Sequence, residues 1–173
     1  ICISSGEGVY NILNNTIKNT GGSGIWTGDY NTGDIISGNN FYNNGDYSIN
    51  LGVSSTGHLI YNNIFNSSDY IHCQSGCSAN CNTTKTEVTN IIGKTYIGGN
   101  YYTNSSATGY SDTCYDTDGD WICETPYTLA SGNVDYLPLT LNQDTDNPNV
   151  EIVYPENTTY TAVQTELNYT VSD

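Results

Sequence analysis

The chain has 173 residues, with 18 acidic side chains, three lysines and no arginine, and its net charge is −15. A chain this acidic is a poor partner for the phosphates of nucleic acids, and no run of about 18 apolar residues is present that could span a membrane. Its 16 tyrosines, 18 glycines and 24 asparagines favour strands and turns over long helices. We therefore predict an all-β fold with no nucleic-acid partner and no membrane span.

The first half of the chain repeats itself. Two asparagines, any residue and a hydrophobic residue follow one another at 14–17, 39–42 and 62–65, and 99–102 is a weaker copy. The second asparagine of the pattern recurs after 25, 23 and 37 residues. A period of ~20–25 residues fits one turn of a parallel β-helix, whereas a propeller blade needs ~40. The repeats therefore predict a β-helix.

The repeated asparagines have a structural explanation. Asparagines at the corners of stacked turns can bond amide to amide, which keeps buried polar groups satisfied. We predict such a ladder of Asn15, Asn40 and Asn63. The alternative is that the asparagine pairs only mark exposed turns.

Cysteines and glycosylation sequons indicate the compartment. An even number of cysteines and several N-x-S/T sequons favour an extracellular, oxidised and glycosylated protein. A Cys-rich insertion at residues 66–89 separates the third repeat from the fourth. We expect disulfides from Cys2, Cys73, Cys77, Cys81, Cys114 and Cys123, and glycosylation at Asn14, Asn66, Asn82, Asn104, Asn157 and Asn168.

An acidic loop follows the repeats. Three aspartates alternate there, and Ca²⁺ prefers six to eight oxygen ligands at about 2.3–2.6 Å. The loop departs from an EF-hand, because its sixth position is Trp121 and its twelfth is Tyr127. The alternative is a solvated acidic turn. We predict a Ca²⁺ site formed by Asp116, Asp118, Asp120, the backbone carbonyl of Ile122 or Trp121, and Glu124.

Two cysteines flank this loop. Cys114 and Cys123 are nine residues apart, so a disulfide between them would hold the loop in shape. The other four cysteines can pair in three ways, and the sequence does not choose among them. His72 with the three cysteines after it also invites a metal site, but their spacing lacks the C-x-x-C of zinc sites, so disulfides are favoured.

The repeats and the segment after them form a recognisable combination. The repeats are followed by Gly99-Asn100-Tyr101-Tyr102, by residues 116–127 and by the closing residues 132–139. This combination resembles the right-handed parallel β-helix proteins of archaeal cell surfaces. The resemblance implies a right-handed β-helix over residues 1–141, ended by a calcium-loop cap at 99–139. It also implies an archaeal origin.

The last part of the chain has a different composition. After a linker at 142–149, residues 150–155 and 165–171 alternate like strands. They resemble the first strands of an immunoglobulin-like domain. Two strands cannot enclose a core, so residues 150–173 either were cut from a longer domain or donate strands to a neighbouring subunit.

The sequence offers few residues for an enzymatic function. Lyases of this fold use an arginine or lysine beside Ca²⁺, and the three lysines here are scattered. Asp29, Asp34 and Asp46 could meet on stacked turns as glycosidase carboxylates, and His58 could act as an acid or base. No pattern in the sequence joins them, so we expect no catalytic residues.

The sequence therefore predicts an extracellular structural protein of a cell-surface layer, sheath or filament. It would be stabilised by Ca²⁺ and would associate with itself or with other surface proteins. The alternative is a carbohydrate-binding or polysaccharide-processing β-helix module with glycans as partners.

Overall fold

The computed structural model describes residues 1–3, 8–129, 133–144, 149–154, 156, 159–163 and 165–172. Within these ranges, no helix is long and apolar enough to cross a membrane. The elements of the described residues are, in chain order, β1 (Cys2–Ile3), β2 (Asn11–Leu13), β3 (Thr16–Lys18), β4 (Ile25–Thr27), β5 (Ile35–Ser37), β6 (Asn40–Tyr42), β7 (Ile49–Leu51), β8 (His58–Tyr61), β9 (Ile64–Asn66), β10 (Ile71–Cys73), β11 (Ala79–Asn80), β12 (Thr86–Glu87), β13 (Tyr96–Ile97), β14 (Tyr101–Thr103), α1 (Tyr110–Thr113), β15 (Tyr127–Thr128), β16 (Val134–Asp135), β17 (Asn149–Tyr154) and β18 (Asn168–Ser172).

Three parallel sheets form the walls of a solenoid, and each turn of the chain adds one strand to each sheet. Sheet A has the order β1-β4-β7-β10, sheet B the order β2-β5-β8-β11, and sheet C the order β3-β6-β9-β14. Every pairing within these sheets is parallel. The chain is therefore a parallel β-helix, which confirms the predicted fold class.

The core consists of columns of apolar side chains that stack from one turn to the next. The rings of Phe41 and Phe65 are 5.1 Å apart, and those of Phe65 and Tyr102 are 5.5 Å apart. Burial of each such side chain contributes about 1.5–3 kcal/mol. The columns are Ile12, Ile36 and Ile60 in sheet B; Ile25, Ile49 and Ile71 in sheet A; and Ile17, Phe41, Phe65 and Tyr102 in sheet C.

An asparagine ladder runs along the corner between sheets B and C. The backbone N–H and side-chain amide of each ladder residue donate to the side-chain oxygen of the residue one turn further on, from Asn15 to Asn39, from Asn39 to Asn63 and from Asn63 to Asn100. The ladder itself was predicted, but the residue of the second turn was wrong. It is Asn39, while the side chain of Asn40 is half-buried outside the ladder.

Backbone geometry explains this difference. The residue before each of the first three ladder asparagines is in the left-handed region, with φ of 58° at Asn14, 70° at Gly38 and 55° at Asn62. Asparagine and glycine both tolerate that region. Gly38-Asn39 is therefore equivalent to Asn14-Asn15, and the steps along the ladder are 24 and 24 residues instead of 25 and 23.

The insertion lies later than the sequence suggested. The expected range, residues 66–89, includes β10 and β11. These are regular strands of the β-helix, and each pairs with a strand of the preceding turn. The extra residues lie between β11 and β14 and contain the antiparallel hairpin β12–β13. They lengthen the ladder step from Asn63 to Asn100 to 37 residues.

A cap follows β14. It consists of α1, an acidic loop and the antiparallel hairpin β15–β16. Two isolated bridges connect the acidic loop to the segment after the hairpin, one from Ile122 to Leu139 and one from Asp116 to Gln143. These bridges fix both ends of the loop against the segment after the hairpin.

The chain divides into two compact units, 1–143 and 144–173. In the second unit, β17 pairs antiparallel with β18. The finer division into 1–141, 142–149 and 150–173, and the immunoglobulin-like character of the last segment, stay predictions.

Candidate metal centre

The acidic loop of the cap is anchored at both ends by covalent and backbone bonds. A disulfide joins Cys114 and Cys123, whose Cα atoms are 5.6 Å apart. The Cys123 N–H donates to the Pro138 carbonyl at 2.8 Å, and the Glu124 N–H donates to the Tyr115 carbonyl at 3.1 Å. The predicted disulfide is therefore present, and it closes a ring that is hydrogen-bonded to the cap segment at Pro138.

Asp116 organises the interior of the loop. Its side chain is buried, and its Oδ1 accepts the N–H groups of Gly119 at 2.8 Å and Asp120 at 3.2 Å. Its Oδ2 accepts the N–H of Trp121 at 2.8 Å and the side-chain amide of Gln143 at 3.3 Å. Burial alone would raise the pKa of Asp116, but these donors outweigh it and lower the pKa. The carboxylate is therefore ionised and fixed.

The other two aspartates of the loop point to the same place. Ligand oxygens of Asp116, Asp118 and Asp120 all lie within 4.8 Å of one another, and this is the one such group of three potential metal ligands among the described residues. Asp118 is exposed, and its pKa is raised by desolvation and by the neighbouring Asp120 carboxylate. A divalent cation at this point would relieve that repulsion.

The predicted ligand set also includes Glu124 and a backbone carbonyl, but the group of three ligands in the described residues does not contain Glu124. Glu124 Oε1 accepts the hydroxyl of Thr117 at 2.6 Å and its N–H at 2.8 Å, which lowers the pKa of Glu124. The Trp121 carbonyl accepts the N–H of Thr140 at 3.0 Å. No described hydrogen bond engages the Ile122 carbonyl, so of the two predicted carbonyls that of Ile122 is the one without a described hydrogen-bond donor.

Two of the three lysines of the chain lie at this loop. Lys85, from the insertion, pairs with the Asp120 carboxylate, and this bond raises the pKa of Lys85. The Lys94 ammonium lies 3.5 Å from the centre of the Trp121 ring. Trp121 has φ of 65°, the left-handed region where an EF-hand has glycine. The insertion therefore brings positive charge to the acidic loop.

The remaining cysteines differ from the expectation that all six would pair. Cys73 and Cys77 form a disulfide, but Cys2 and Cys81 are free. Cys2 lies on the first turn and Cys81 directly after β11, three turns away, which is roughly 14 Å at ~4.8 Å per turn. A disulfide needs Cα atoms within about 7 Å. Burial, and then the Asp135 carboxylate, raise the pKa of Cys81.

The residues weighed for catalysis are not gathered in a cleft. His58 and Asp34 are both fully buried, with Nδ1 and Oδ2 3.3 Å apart. Desolvation lowers the pKa of His58 and raises that of Asp34. Asp29 Oδ1 accepts the Val53 N–H at 2.9 Å, while Asp46 lies on the surface of another loop.

The predicted glycosylation sites fall into different environments. Asn14 and Asn168 are exposed, whereas Asn82 accepts the Tyr136 N–H at 3.2 Å and so holds the coil to the cap. Asn66 and Asn104 line one surface cleft. Asn157 lies outside the described residues.

Asp135 was missed by the sequence reasoning, although it ends the ladder. Its Oδ2 accepts the N–H of Asn100 at 2.8 Å, the side-chain amide of Asn100 at 3.2 Å and the hydroxyl of Tyr102 at 3.0 Å, and its Oδ1 accepts the Leu137 N–H at 3.0 Å. A Cβ atom at Gly99 would overlap this carboxylate. The sequence signal for this contact is a glycine directly before Asn100, at a position where a side chain would overlap the Asp135 carboxylate.

Comparison with known protein families places the β-helix in a described family. Residues 3–107 match the NosD family, described as "Periplasmic copper-binding protein (NosD)". The matched segment covers the coil from β1 through β14 and ends before the acidic loop. Comparisons with curated proteins and with solved structures found no match.

Proposed function

The chain belongs to the NosD family, and we propose that it is a secreted or periplasmic β-helix module with a structural role in an archaeal cell-surface layer, sheath or filament. The observation that carries this proposal is the ladder, which continues through every coil turn and ends on Asp135. Each turn is bonded to the next through side chains as well as backbone. Such nearest-neighbour bonding makes a solenoid a durable structural unit.

Two observations support a location outside the cytoplasm. The family description contains the word periplasmic, and the described chain holds two disulfides. Disulfides form and persist in oxidising compartments. The archaeal origin rests on the resemblance of the repeats and cap, and glycosylation rests on the sequons.

Copper, named in the family description, does not fit the described residues. Copper prefers thiolate, thioether and imidazole ligands. The chain has no methionine and two histidines, and its two free cysteines, Cys2 and Cys81, lie on different turns and in no described group of three potential ligands. His58 is buried against Asp34, and His72 stacks on Tyr47 with ring centroids 4.3 Å apart. The described cluster of potential ligands contains only carboxylates. We therefore assign no copper chemistry to this segment.

Calcium fits the acidic loop better. Carboxylates and a backbone carbonyl are hard oxygen ligands, which Ca²⁺ prefers. The backbone donors on Asp116 hold the loop in one conformation before any cation binds. The ligands we propose are Asp116, Asp118, Asp120, the Ile122 carbonyl and Glu124. The cation would stabilise the cap on the end of the coil.

The second unit supplies a means of assembly. Apolar side chains of β17 and β18 are more than half exposed, and a two-stranded sheet is marginally stable by itself. Pairing of such strands with a neighbouring subunit would cover them. These side chains are Val150, Ile152, Val153, Tyr169 and Val171.

Electron microscopy with light scattering tests the structural role. Protein in millimolar calcium should form filaments or lattices, and these should loosen in EDTA because the cap loses its cation. The matched control deletes residues 144–173 and should stay monomeric, since the first unit has its own core. Monomers of the full chain in both conditions would contradict self-assembly.

A further inference from the structure

A polar cleft opens on the side of the solenoid, in the loops that lead from sheet C to sheet A. Three successive turns line it, with residues 43–46, 66–69 and 104–106, and its volume is about 450 Å³. Turns stack at ~4.8 Å, so the cleft extends roughly 10 Å along the solenoid. Its volume is within the usual range for small-molecule sites.

The lining of this cleft is rich in hydrogen-bond acceptors. It contains the carboxylates of Asp46 and Asp69 from neighbouring turns, with amides and hydroxyls around them, and none of its lining residues is a lysine. The loop of residues 66–69 is held in place, because the Asp69 carbonyl accepts the Ser48 N–H at 3.0 Å and the Ser67 hydroxyl at 3.1 Å. The Ser68 hydroxyl donates to Asp69 Oδ2 at 2.8 Å. These groups suit a ligand that offers several hydroxyl donors.

An aromatic surface continues the cleft toward the cap. A smaller depression of about 180 Å³ shares Ser68 and Asp69 with it and is lined by Tyr47, His72 and Tyr127. The rings of Tyr47 and His72 stack with centroids 4.3 Å apart and planes 15° apart. A flat ring beside carboxylates and amides matches a sugar, which has C–H groups on one face and hydroxyls around its edge.

We propose that this cleft binds an uncharged saccharide, with Asp46 and Asp69 accepting hydroxyl protons and Tyr47 packing against a sugar face. The net charge of −15 would repel an anionic sugar. Asn66 and Asn104, the first residues of two sequons, both lie in the lining. The saccharide can therefore come from solution or from a glycan attached at Asn66 or Asn104. The proposal does not depend on the calcium loop.

Titration of the unglycosylated protein tests a saccharide from solution. The probes are cellobiose, maltose and chitobiose, added to ¹⁵N-labelled protein and followed by NMR. Saturable shifts at residues 46–47 and 68–69 are expected with at least one probe. Y47A and D69N should each weaken that binding about tenfold or more. The matched control, Y30A, removes an exposed tyrosine from a different loop and should leave the binding unchanged.

A second arm tests the attached source. The same protein from a glycosylating host is compared with its N66Q and N104Q variants. A glycan at Asn66 or Asn104 that lies in the cleft should shift the resonances of Tyr47 and Asp69 relative to the variant that lacks it, and Y47A should remove the difference at Asp69. Saturable binding in the first arm or such shifts in the second would support the site. Neither result, or binding that Y47A and D69N leave unchanged, would overturn it.

Discussion

Each ladder asparagine both donates and accepts, so the ladder has a direction. Hydrogen atoms point from Asn15 toward Asn100, and the final acceptor is the carboxylate of Asp135. A carboxylate suits this position because it accepts several bonds and, when ionised, has no hydrogen atom to oppose the incoming donors. In its ionised form, Asp135 therefore ends the chain of amides inside the cap as an acceptor only.

Substitution of Asn63 tests the energetic weight of the ladder. N63A removes an amide that bonds both neighbouring rungs and the carbonyls of Ile36 and Tyr61. Several buried groups lose their partners at about 1–3 kcal/mol each. We expect a loss of at least about 3 kcal/mol in the free energy of unfolding, measured in urea. N15A, at the exposed end of the ladder, should cost about 1 kcal/mol; equal losses would contradict this account.

Asp135 predicts an unusual dependence of stability on pH. Burial raises its pKa from 3.8 to about 7, although hydrogen bonds from Asn100, Leu137 and Tyr102 oppose the rise. The folded carboxyl therefore keeps a proton that the unfolded one releases between these values. Its contribution to stability is fully present below pH 3.8 and is lost as the pH rises through about 7.

Comparison of wild type with D135N isolates this contribution. In calcium-free urea unfolding, the difference in unfolding free energy between the two proteins should fall by up to about 4 kcal/mol as the pH rises across this window. The comparison is needed because Asp116 and Glu124 have lowered pKa values and act in the opposite direction. Curves that run parallel across the window would show that Asp135 does not titrate there.

At the scale of elements, the acidic loop depends on its disulfide. The ring closed by Cys114 and Cys123 removes about 2–3 kcal/mol of chain entropy from the unfolded state. The double variant C114S/C123S should lose about that much stability and bind Ca²⁺ more weakly, as measured by thermal unfolding and calorimetry. The matched control, C73S/C77S, opens a ring in the coil and should leave Ca²⁺ affinity unchanged. Equal effects on affinity would contradict a local role.

The elements were predictable where one turn repeats another. The spacing of the asparagine pairs predicted the β-helix. It did not predict which asparagine of the second turn joins the ladder, because glycine, as at Gly38, and asparagine can both occupy the left-handed position before it. The insertion was predicted too early in the chain, because Cys73 and Cys77 lie on a regular turn of the β-helix. Asp135 was missed because it meets the ladder only through the folded cap.

At the scale of the whole molecule, most of the few positive charges lie beside the acidic loop of the cap. The chain has a net charge of −15, and Lys85 and Lys94, two of its three lysines, lie at the acidic loop. The alternating aspartates identified that loop from sequence alone. The lysines that approach it could not be predicted, because they come from an insertion without a counterpart in the other turns. The saccharide cleft likewise combines loops of three turns.

Thermal unfolding in calcium and in EDTA is the measurement that tests the central claim most directly. If the loop of the cap binds Ca²⁺, a calcium concentration about 100 times the Kd should stabilise the fold by roughly 2.7 kcal/mol and raise the Tm by about 5–10 °C. The variant D118N/D120N should lose this rise. D29N, which alters an aspartate on a coil loop, should keep it. The same Tm for wild type in calcium and in EDTA would contradict a calcium-stabilised cap.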